Sequence, residues 1–217
     1  MTLKTNKNAK ILKEILESDI KRIEETMEQT DPQAFSAAVD MIAKAKKIYI
    51  IGVRNCAPLA EFLWSGLHMM FENAVLIRTN SSSDMFEQLV HVNEKDVVIG
   101  ISFPRYSVRT LKALEFANNR NAKVITLTNG INSPIALYSS CNLIAKSEML
   151  SVADSFVAPM SVVNALISAL CMKKRDKVIQ TMESMYQIWD EYQVYGSDEL
   201  EHTVEEICLK SEGERHE

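Results

Sequence analysis

Hydrophobic residues recur at helical spacing near the start of the chain. The apolar stripe lies between about residues 8 and 30, with charged residues on the other faces, and consists of Ile11, Leu12, Ile15, Leu16, Ile20, Ile23 and Met27. This spacing predicts a long amphipathic helix. Asp31 and Pro32 then combine a helix-capping side chain with a residue suited to the first helical turn. A second helix is therefore expected from Pro32 to about Lys46.

The pattern changes after this second helix. In KKIYIIG, apolar and β-branched residues are consecutive and stop at Gly52, which is typical of a strand buried on both faces. Similar runs without internal proline occupy residues 74–77, 96–102, 123–127 and 141–145. Helical stretches at 57–71, 84–91, 107–119 and 133–138 separate these runs. The alternation predicts an α/β fold, a three-layer α/β/α sandwich with a five-stranded parallel sheet.

Two further helices are expected after the last strand, over residues 154–172 and 174–194, where they would cover the sheet or a partner subunit. The acidic tail beyond Gly196 contains SDELEHTVEEICL, which suits a short helix, and the final residues are expected to be disordered. The sandwich is thus flanked by long N- and C-terminal helices. We divide the chain into residues 1–46, an α/β domain over 47–172, and a C-terminal segment over 173–217.

Composition excludes several classes of function. The 217 residues carry a formal net charge of -5 and form no dense Lys/Arg run, so we expect no direct contact with nucleic acid. No apolar stretch approaches the roughly 20 residues of a membrane-spanning helix. The start also lacks a signal-peptide core, so we expect a cytoplasmic protein without membrane contact. The cysteines form no CxxC pair and the histidines no HxxxH pair, which predicts no metal site, and we expect no cofactor.

Polar loops follow the first three predicted strands, over residues 52–57 (GVRNCA), 79–83 (TNSSS) and 102–107 (SFPRYS). In an open parallel sheet, ligands bind beyond the carboxyl ends of the strands. A loop that opens a helix offers backbone N–H groups and the positive end of the helix dipole, which suit an anion such as phosphate. Ser and Arg side chains in these loops could add hydrogen bonds and charge. The alternative is that the serines only cap helices and the arginines lie in solvent.

Three segments carry a resemblance to a known family. They are IIGVRNCAPLA, VVIGISFPRYSVRTLKALEFA and KVITLTNGINSPIALYSSCNLI, and together they resemble the sugar-isomerase (SIS) domain, particularly that of RpiR-type transcriptional regulators, over about residues 40–172. The resemblance implies a flavodoxin-like fold, a pocket for a sugar phosphate or related carbohydrate derivative, and a homo-oligomer, either a dimer or a tetramer. The N-terminal helix is similar to the segment that joins a helix-turn-helix domain to the SIS domain in those regulators.

Site residues follow from the correspondence with that family. The glycine and serine of the family's first loop fall on Gly52 and Cys56, and its SxSGxT signature falls on residues 102–107. Cysteine replaces serine and Pro104-Arg105 replace Ser-Gly, so the phosphate contacts should be altered, with arginine charge compensating for the lost glycine. Together with the loop residues, the candidate ligand-binding residues are Gly52, Arg54, Asn55, Cys56, Ser81, Ser82, Ser102, Arg105, Ser107 and Ser155.

The segment around Ser155 has two interpretations. It precedes the predicted helix over 154–172, so Asp154 and Ser155 are expected to cap that helix. It also matches the region where the SIS family closes its pocket, which implies that Ser155 could contact a ligand. We favour the capping role.

Candidate catalytic residues are few. Glu87 and His91 are four residues apart on one predicted helical face, a spacing that suits an acid–base pair, but a solvated Glu beside a packed His explains them as well. His68, in the apolar segment FLWSGLHMMF, suits packing or a subunit interface. We therefore assign no catalytic residue beyond these two weak candidates.

Two classes of function remain. The favoured one is a sensor, the ligand-binding part of an RpiR-type regulator, although only about 30 residues precede the α/β pattern and they predict a helix rather than a DNA-binding domain. The alternative is a phosphosugar isomerase or a deglycase-like SIS enzyme. The reading frame upstream of Met1 would discriminate between a fragment of a regulator and a chain that works alone.

Overall fold

The computed structural model describes residues 7–79, 81–148 and 154–194. The chain divides into two compact units, Met1–Lys173 and Lys174–Glu217. The first unit contains the sheet and all of the loops singled out above. The domain boundaries drawn from the sequence, and the short helix expected in the acidic tail, stay predictions, and the tail lies outside the described residues.

One parallel sheet forms the centre of the first unit. Its strands are β1 (Ile48–Gly52), β2 (Ala74–Leu76), β3 (Val97–Ile101), β4 (Lys123–Thr128) and β5 (Cys141–Ile144). Their spatial order is β2-β1-β3-β4-β5, and every neighbouring pair is parallel. Ile48 pairs with Ala74 on one side and with Val97 on the other, which fixes the register of β1.

Helices cover both faces of the sheet. The helices described in the first unit are α1 (Lys7–Gln29), α2 (Pro32–Lys44), α3 (Ala57–His68), α4 (Ser82–Leu89), α5 (Val108–Asn119) and α6 (Val157–Lys173), with short 3-10 turns at Arg54–Cys56 and Pro134–Tyr138. Helices α2 and α3 each contact α6 on one face, α4 and α5 lie on the other, and α1 packs on α6. The predicted α/β/α sandwich with five parallel strands is confirmed.

Burial explains why the strands were recognisable. Every residue of β1 and β3 is buried, as expected for central strands covered by helices on both faces. Tyr49 and Ile51 join a cluster with the buried faces of α4 and α5, while Ile48 and Ile50 alternate to the opposite side. The helix expected over residues 133–138 is a 3-10 turn, beginning at Pro134.

Helix α1 has an unusual distribution of polar and apolar side chains. Its apolar stripe is largely exposed in this chain, with Leu12 at 61% and Met27 at 72% exposure, whereas its buried residues are Arg22 and Thr26. The guanidinium of Arg22 contacts Asp19 at 3.3 Å and Glu148 at 2.8 Å. The Thr26 hydroxyl accepts a hydrogen bond from the Lys146 amide at 2.9 Å. Polar contacts therefore attach α1 to the rest of its unit.

The second unit contains α7 (Arg175–Glu191), none of whose residues is buried. Tyr186 and Trp189 form an edge-to-face ring pair on this helix, with centroids 5.4 Å apart.

Within the described ranges, no single helix is long and apolar enough to cross a bilayer, and α6 and α7 meet that requirement only when they are counted together.

Replacing Arg22 with alanine should lower the free energy of unfolding by about 2 kcal/mol, because the buried guanidinium makes charge-assisted hydrogen bonds that attach α1. Urea denaturation at neutral pH measures this. Lys21→Ala is the matched control, since among residues 7–79, 81–148 and 154–194 Lys21 forms only an exposed pair with Glu25, and its loss should cost less than about 0.5 kcal/mol. Equal effects of the two substitutions would contradict this role of Arg22.

Candidate functional site

The loops singled out in the sequence meet at one edge of the sheet. Strand β1 lies where the strand order reverses, because the chain passes from β1 to β2 on one side and then to β3 on the other. The loops after β1 and β3 diverge at this point, which is where open parallel sheets bind ligands. Two clefts open there, and both lie within the first unit.

The first cleft lies between the loops after β1 and β3 and the segment before α6. Its volume is about 30 Å³, which accommodates a group of a few heavy atoms rather than a whole sugar. Its lining residues are Val53, Arg54, Asn55, Cys56, Ser102, Phe103, Pro104, Arg105, Ser107, Asp154 and Phe156. Six of the ten predicted ligand-binding residues are therefore together in this cleft.

The first loop is shaped by a close approach at Gly52. A Cβ atom on this residue would lie 2.6 Å from the Cys56 carbonyl oxygen and 2.8 Å from the Ala60 Cβ, so only glycine fits without a shift of the turn. Arg54 adopts a left-handed backbone conformation with φ of 57°, which is unfavourable for a side chain other than glycine. Its side chain is exposed at the cleft.

Cys56 is buried beneath this loop. Burial raises the pKa of its thiol, and a backbone hydrogen bond from Phe103 acts in the opposite direction. A buried neutral thiol is a poor nucleophile, so Cys56 is suited to packing and a weak contact rather than to covalent chemistry. The contact with Phe103 also ties the first loop to the third.

Hydrogen bonds within the third loop involve both predicted serines. The Ser102 hydroxyl, buried at the end of β3, accepts from the Ser107 amide at 3.2 Å. The Ser107 hydroxyl accepts from the Thr110 amide at 3.3 Å and caps α5. These serines thus shape the loop as well as lining the cleft. Arg105 is exposed, and neither it nor Arg54 forms an ion pair within the described residues.

The segment before α6 corrects one prediction. Helix α6 begins at Val157, so Asp154 and Ser155 precede its first turn and do not cap it. Asp154 instead accepts a hydrogen bond from the Asn55 side chain at 3.3 Å and lines the first cleft. Ser155 donates to Asp19 of α1 at 2.5 Å and is not among the lining residues. Both side chains therefore form hydrogen bonds with residues on other elements and not with the start of α6.

The second cleft lies between the ends of β1 and β2 and has a volume of about 540 Å³, within the roughly 300–1,000 Å³ common for small-molecule sites. Its lining residues are Gly52, Val53, Arg54, Ala57, Glu61, Leu76, Ile77, Arg78, Thr79, Asp84 and Arg109. Val53 and Arg54 line both clefts, so the two are neighbours across the first loop. Arg78, Arg109 and Asp154 were not predicted as ligand-binding residues, although Arg78 directly follows the strand expected over residues 74–77 and could have been included by the same rule.

Five of the predicted residues lie outside both clefts, namely Ser155, described above, and Ser81, Ser82, Glu87 and His91. Ser81 caps α4 by accepting from the Asp84 amide at 3.2 Å, and Ser82 is the first residue of that helix. Glu87 and His91 are exposed, on α4 and just beyond it, and neither lines a cleft. His68 stacks on Trp64 with ring centroids 4.9 Å apart, in agreement with a packing role.

Comparison with known proteins agrees with this architecture. The family model described as "SIS domain" matches residues 41–169. A curated relative, an uncharacterized HTH-type transcriptional regulator of Haemophilus influenzae, is 24% identical over 165 residues, which is 74% of this chain and 57% of the relative. The chain thus spans less than two thirds of the length of that protein.

Solved structures show the same fold. The sugar isomerase domain of an RpiR transcription factor from Sphaerobacter thermophilus is 26% identical, with a TM-score of 0.76 over 80% of this chain and 97% of that one. The NanR protein of Vibrio vulnificus, solved in complex with ManNAc-6P, is 20% identical, with a TM-score of 0.72 over 82% of this chain and 69% of that one.

Replacing Gly52 with alanine should lower the free energy of unfolding by about 1–3 kcal/mol, because the added Cβ meets backbone and a rigid methyl group. Chemical denaturation monitored by circular dichroism measures the change. Gly130→Ala is the matched control, since a Cβ there meets nothing within 4 Å. A Gly52 variant as stable as the Gly130 variant would show that the turn adapts without cost.

Replacing Arg54 with glycine should leave the free energy of unfolding unchanged or raise it by up to about 1 kcal/mol, because glycine removes the strain of the left-handed conformation while adding chain entropy to the unfolded state. Asn55→Gly, next to it and with negative φ, should instead destabilise the protein. Thermal melts of the two variants give the comparison. A clear loss of stability in Arg54→Gly would mean that the arginine side chain holds the loop.

Proposed function

We propose that this chain, which belongs to the SIS domain family, binds a sugar phosphate in the two clefts and is the ligand-sensing part of a transcriptional regulator. The observation that carries the proposal is the pair of exposed guanidinium groups, on Arg54 and Arg105, that line the first cleft without an ion-pair partner among the described residues. Groups of this kind bind phosphate with charge-assisted hydrogen bonds.

The first cleft is suited to the phosphate. It is small, and it lies at the start of α5, where backbone N–H groups and the helix dipole favour negative charge. Arg105 stands where the family signature has a glycine. In this proposal its charge replaces part of the contact that close backbone approach provides in other family members.

The second cleft is suited to the sugar. Its volume is large enough for a hexose, and it meets the first cleft at Val53 and Arg54. A sugar phosphate placed across the first loop would thus have its phosphate and its ring in neighbouring compartments. The NanR structure with ManNAc-6P supports this ligand class, since that protein has the same fold.

The acidic groups in the clefts favour a sensor over an isomerase. A general base at neutral pH benefits from a raised pKa. The pKa of Asp84 is instead lowered, first by a hydrogen bond from the Thr79 side chain and then by one from Gln88. Glu61 pairs with Arg78 at 3.6 Å, and Asp154 accepts from Asn55. Each of these carboxylates therefore already has a partner.

A route from the ligand to α1 also supports a sensor. Asn55 and Asp154, which line the first cleft, are hydrogen-bonded to each other, and the neighbouring Ser155 is bonded to Asp19 of α1. A ligand that displaces Asn55 or Asp154 would thus act on the segment that holds α1. This gives ligand binding a physical means of biasing the position of that helix.

The proposal includes a homo-oligomer in the cytoplasm. The exposed apolar stripe on α1 is a surface of the kind that subunits bury, and a second copy of the chain would cover it. The described cysteines Cys56, Cys141 and Cys171 are all free thiols, which suits a reducing compartment.

The experiment that tests the ligand class is a thermal-shift screen of hexose, pentose, amino-sugar and N-acetyl-sugar phosphates, with a product assay on each hit. A ligand that binds only the native state raises the melting temperature. Stabilisation without turnover supports the sensor. Turnover of a stabilising ligand would replace the sensor by an enzyme, and no stabilisation by any compound would refute the sugar-phosphate site.

Replacing Arg105 with alanine should weaken binding of the stabilising sugar phosphate by about tenfold or more, since a charge-assisted contact to phosphate is lost. Isothermal titration calorimetry gives the dissociation constants. The control is Lys112→Ala, which removes an exposed cation on α5 that does not line either cleft. Unchanged affinity in the Arg105 variant would remove this residue from the site.

A further inference from the structure

We infer that the second cleft binds a second anionic group, so that the ligand is a sugar phosphate carrying an additional carboxylate or phosphate. This inference rests on the proposed function and goes further by naming the chemical class of the ligand. It follows from the charged side chains of the compartment that would hold the sugar ring.

The second cleft contains more cationic groups than a neutral sugar needs. Three arginines, Arg54, Arg78 and Arg109, line it together with two carboxylates, Glu61 and Asp84. Asp84 already accepts hydrogen bonds from neighbouring polar side chains, one of them Gln88 at 3.1 Å. The hydroxyl groups of a neutral sugar need donors and acceptors alike, whereas guanidinium groups only donate and match carboxylate or phosphate oxygens.

Arg78 is held in place at the wall of this cleft. Its guanidinium carbon lies 4.9 Å from the centroid of the Trp64 ring, within the range of a cation–π contact. Its Nε atom lies 3.6 Å from a Glu61 carboxylate oxygen, and both side chains are more than half exposed. A single exposed ion pair of this length contributes little, and it leaves the terminal nitrogens of the guanidinium available. The aromatic contact therefore positions a cation that can still bind an anion.

Arg54 connects the two ends of the proposed ligand. It lines both clefts, and its unfavourable backbone conformation places it at their junction. Strained conformations of this kind are concentrated at ligand-binding positions. A ligand with phosphate in the first cleft and a second anion near Arg78 would pass Arg54, so the ligand would contact arginines from the turn after β1 and from the loop after β2.

The experiment compares ligands that differ by one anionic group, using the full chain and calorimetry. The pairs are glucose 6-phosphate with 6-phosphogluconate, and fructose 6-phosphate with fructose 1,6-bisphosphate. We expect the member with the second anion to bind at least about tenfold more tightly in one of the pairs, and which pair shows the difference tells carboxylate from phosphate. Equal affinity within both pairs would overturn the inference while leaving the proposed function intact.

Variants then locate the second anion. Arg78→Ala should weaken binding of the member with the second anion at least about tenfold more than binding of the single-phosphate member, and Glu61→Gln should increase the preference by removing an opposing charge. Arg120→Ala is the matched control, because Arg120 also lies over an aromatic ring, Phe116 at 4.8 Å, but lines neither cleft. An Arg78 variant that weakens both members equally would overturn the assignment.

Fluorescence of Trp64 gives a second measurement. The chain has two tryptophans, so Trp189→Phe leaves Trp64 beside Arg78 as the only indole. In this variant the ligand with two anions should change the emission and the single-phosphate ligand should not. The same emission change with both ligands would count against the inference. If no sugar phosphate binds in either measurement, the proposed function fails and this inference fails with it.

Discussion

The close contact between the end of β1 and the start of α3 is the constraint on which both clefts depend. Without a side chain at Gly52, the Cys56 carbonyl and the Ala60 methyl approach within contact distance of the strand. The three residues between Gly52 and Cys56 must then form a tight turn, and one of them, Arg54, adopts a positive φ as a result. The turn separates the first cleft from the second, and the residues that line both are located on it. Packing of an apolar helix thus determines the geometry of the polar site.

A set of polar contacts connects this turn to the N-terminal helix. Asn55 is bonded to Asp154, Ser155 to Asp19, and Asp19 in turn to the buried Arg22. Side-chain hydrogen bonds of this kind have strict geometry, whereas apolar contacts tolerate sliding. In the proposed sensor, a change at the cleft would therefore reach α1 through this set of hydrogen bonds. The contacts also explain how the charged Arg22 can be buried on α1.

Much of the fold could be predicted because its signals are local. Strand β3 is a run of consecutive apolar residues, and Asp31 with Pro32 marks the start of α2, where the structure has an Asp31 cap. The site residues that lie in loops after strands could be predicted, among them Arg54, Ser102 and Arg105. The capping role favoured for Ser155 was wrong because the residue that Ser155 bonds to, Asp19, is far away in sequence. Arg78 was missed although it follows an expected strand, and only its positioning by Trp64 was beyond prediction, because that contact exists only after α3 has packed beside β2.

The stability of α1 adds to the reasons for expecting a second copy of the chain. Its first part forms exposed pairs at Lys10–Glu14 and Lys13–Glu17, and each such pair contributes only about 0.2–0.5 kcal/mol. Helices in proteins are stabilised chiefly by packing of an apolar face, yet Leu12 and Leu16 of α1 are more than half exposed. The anchoring contacts at Arg22 and Thr26 lie in its second half. A partner subunit that packs on the stripe would supply the missing burial, and it would make the position of α1 depend on both the cleft and the interface.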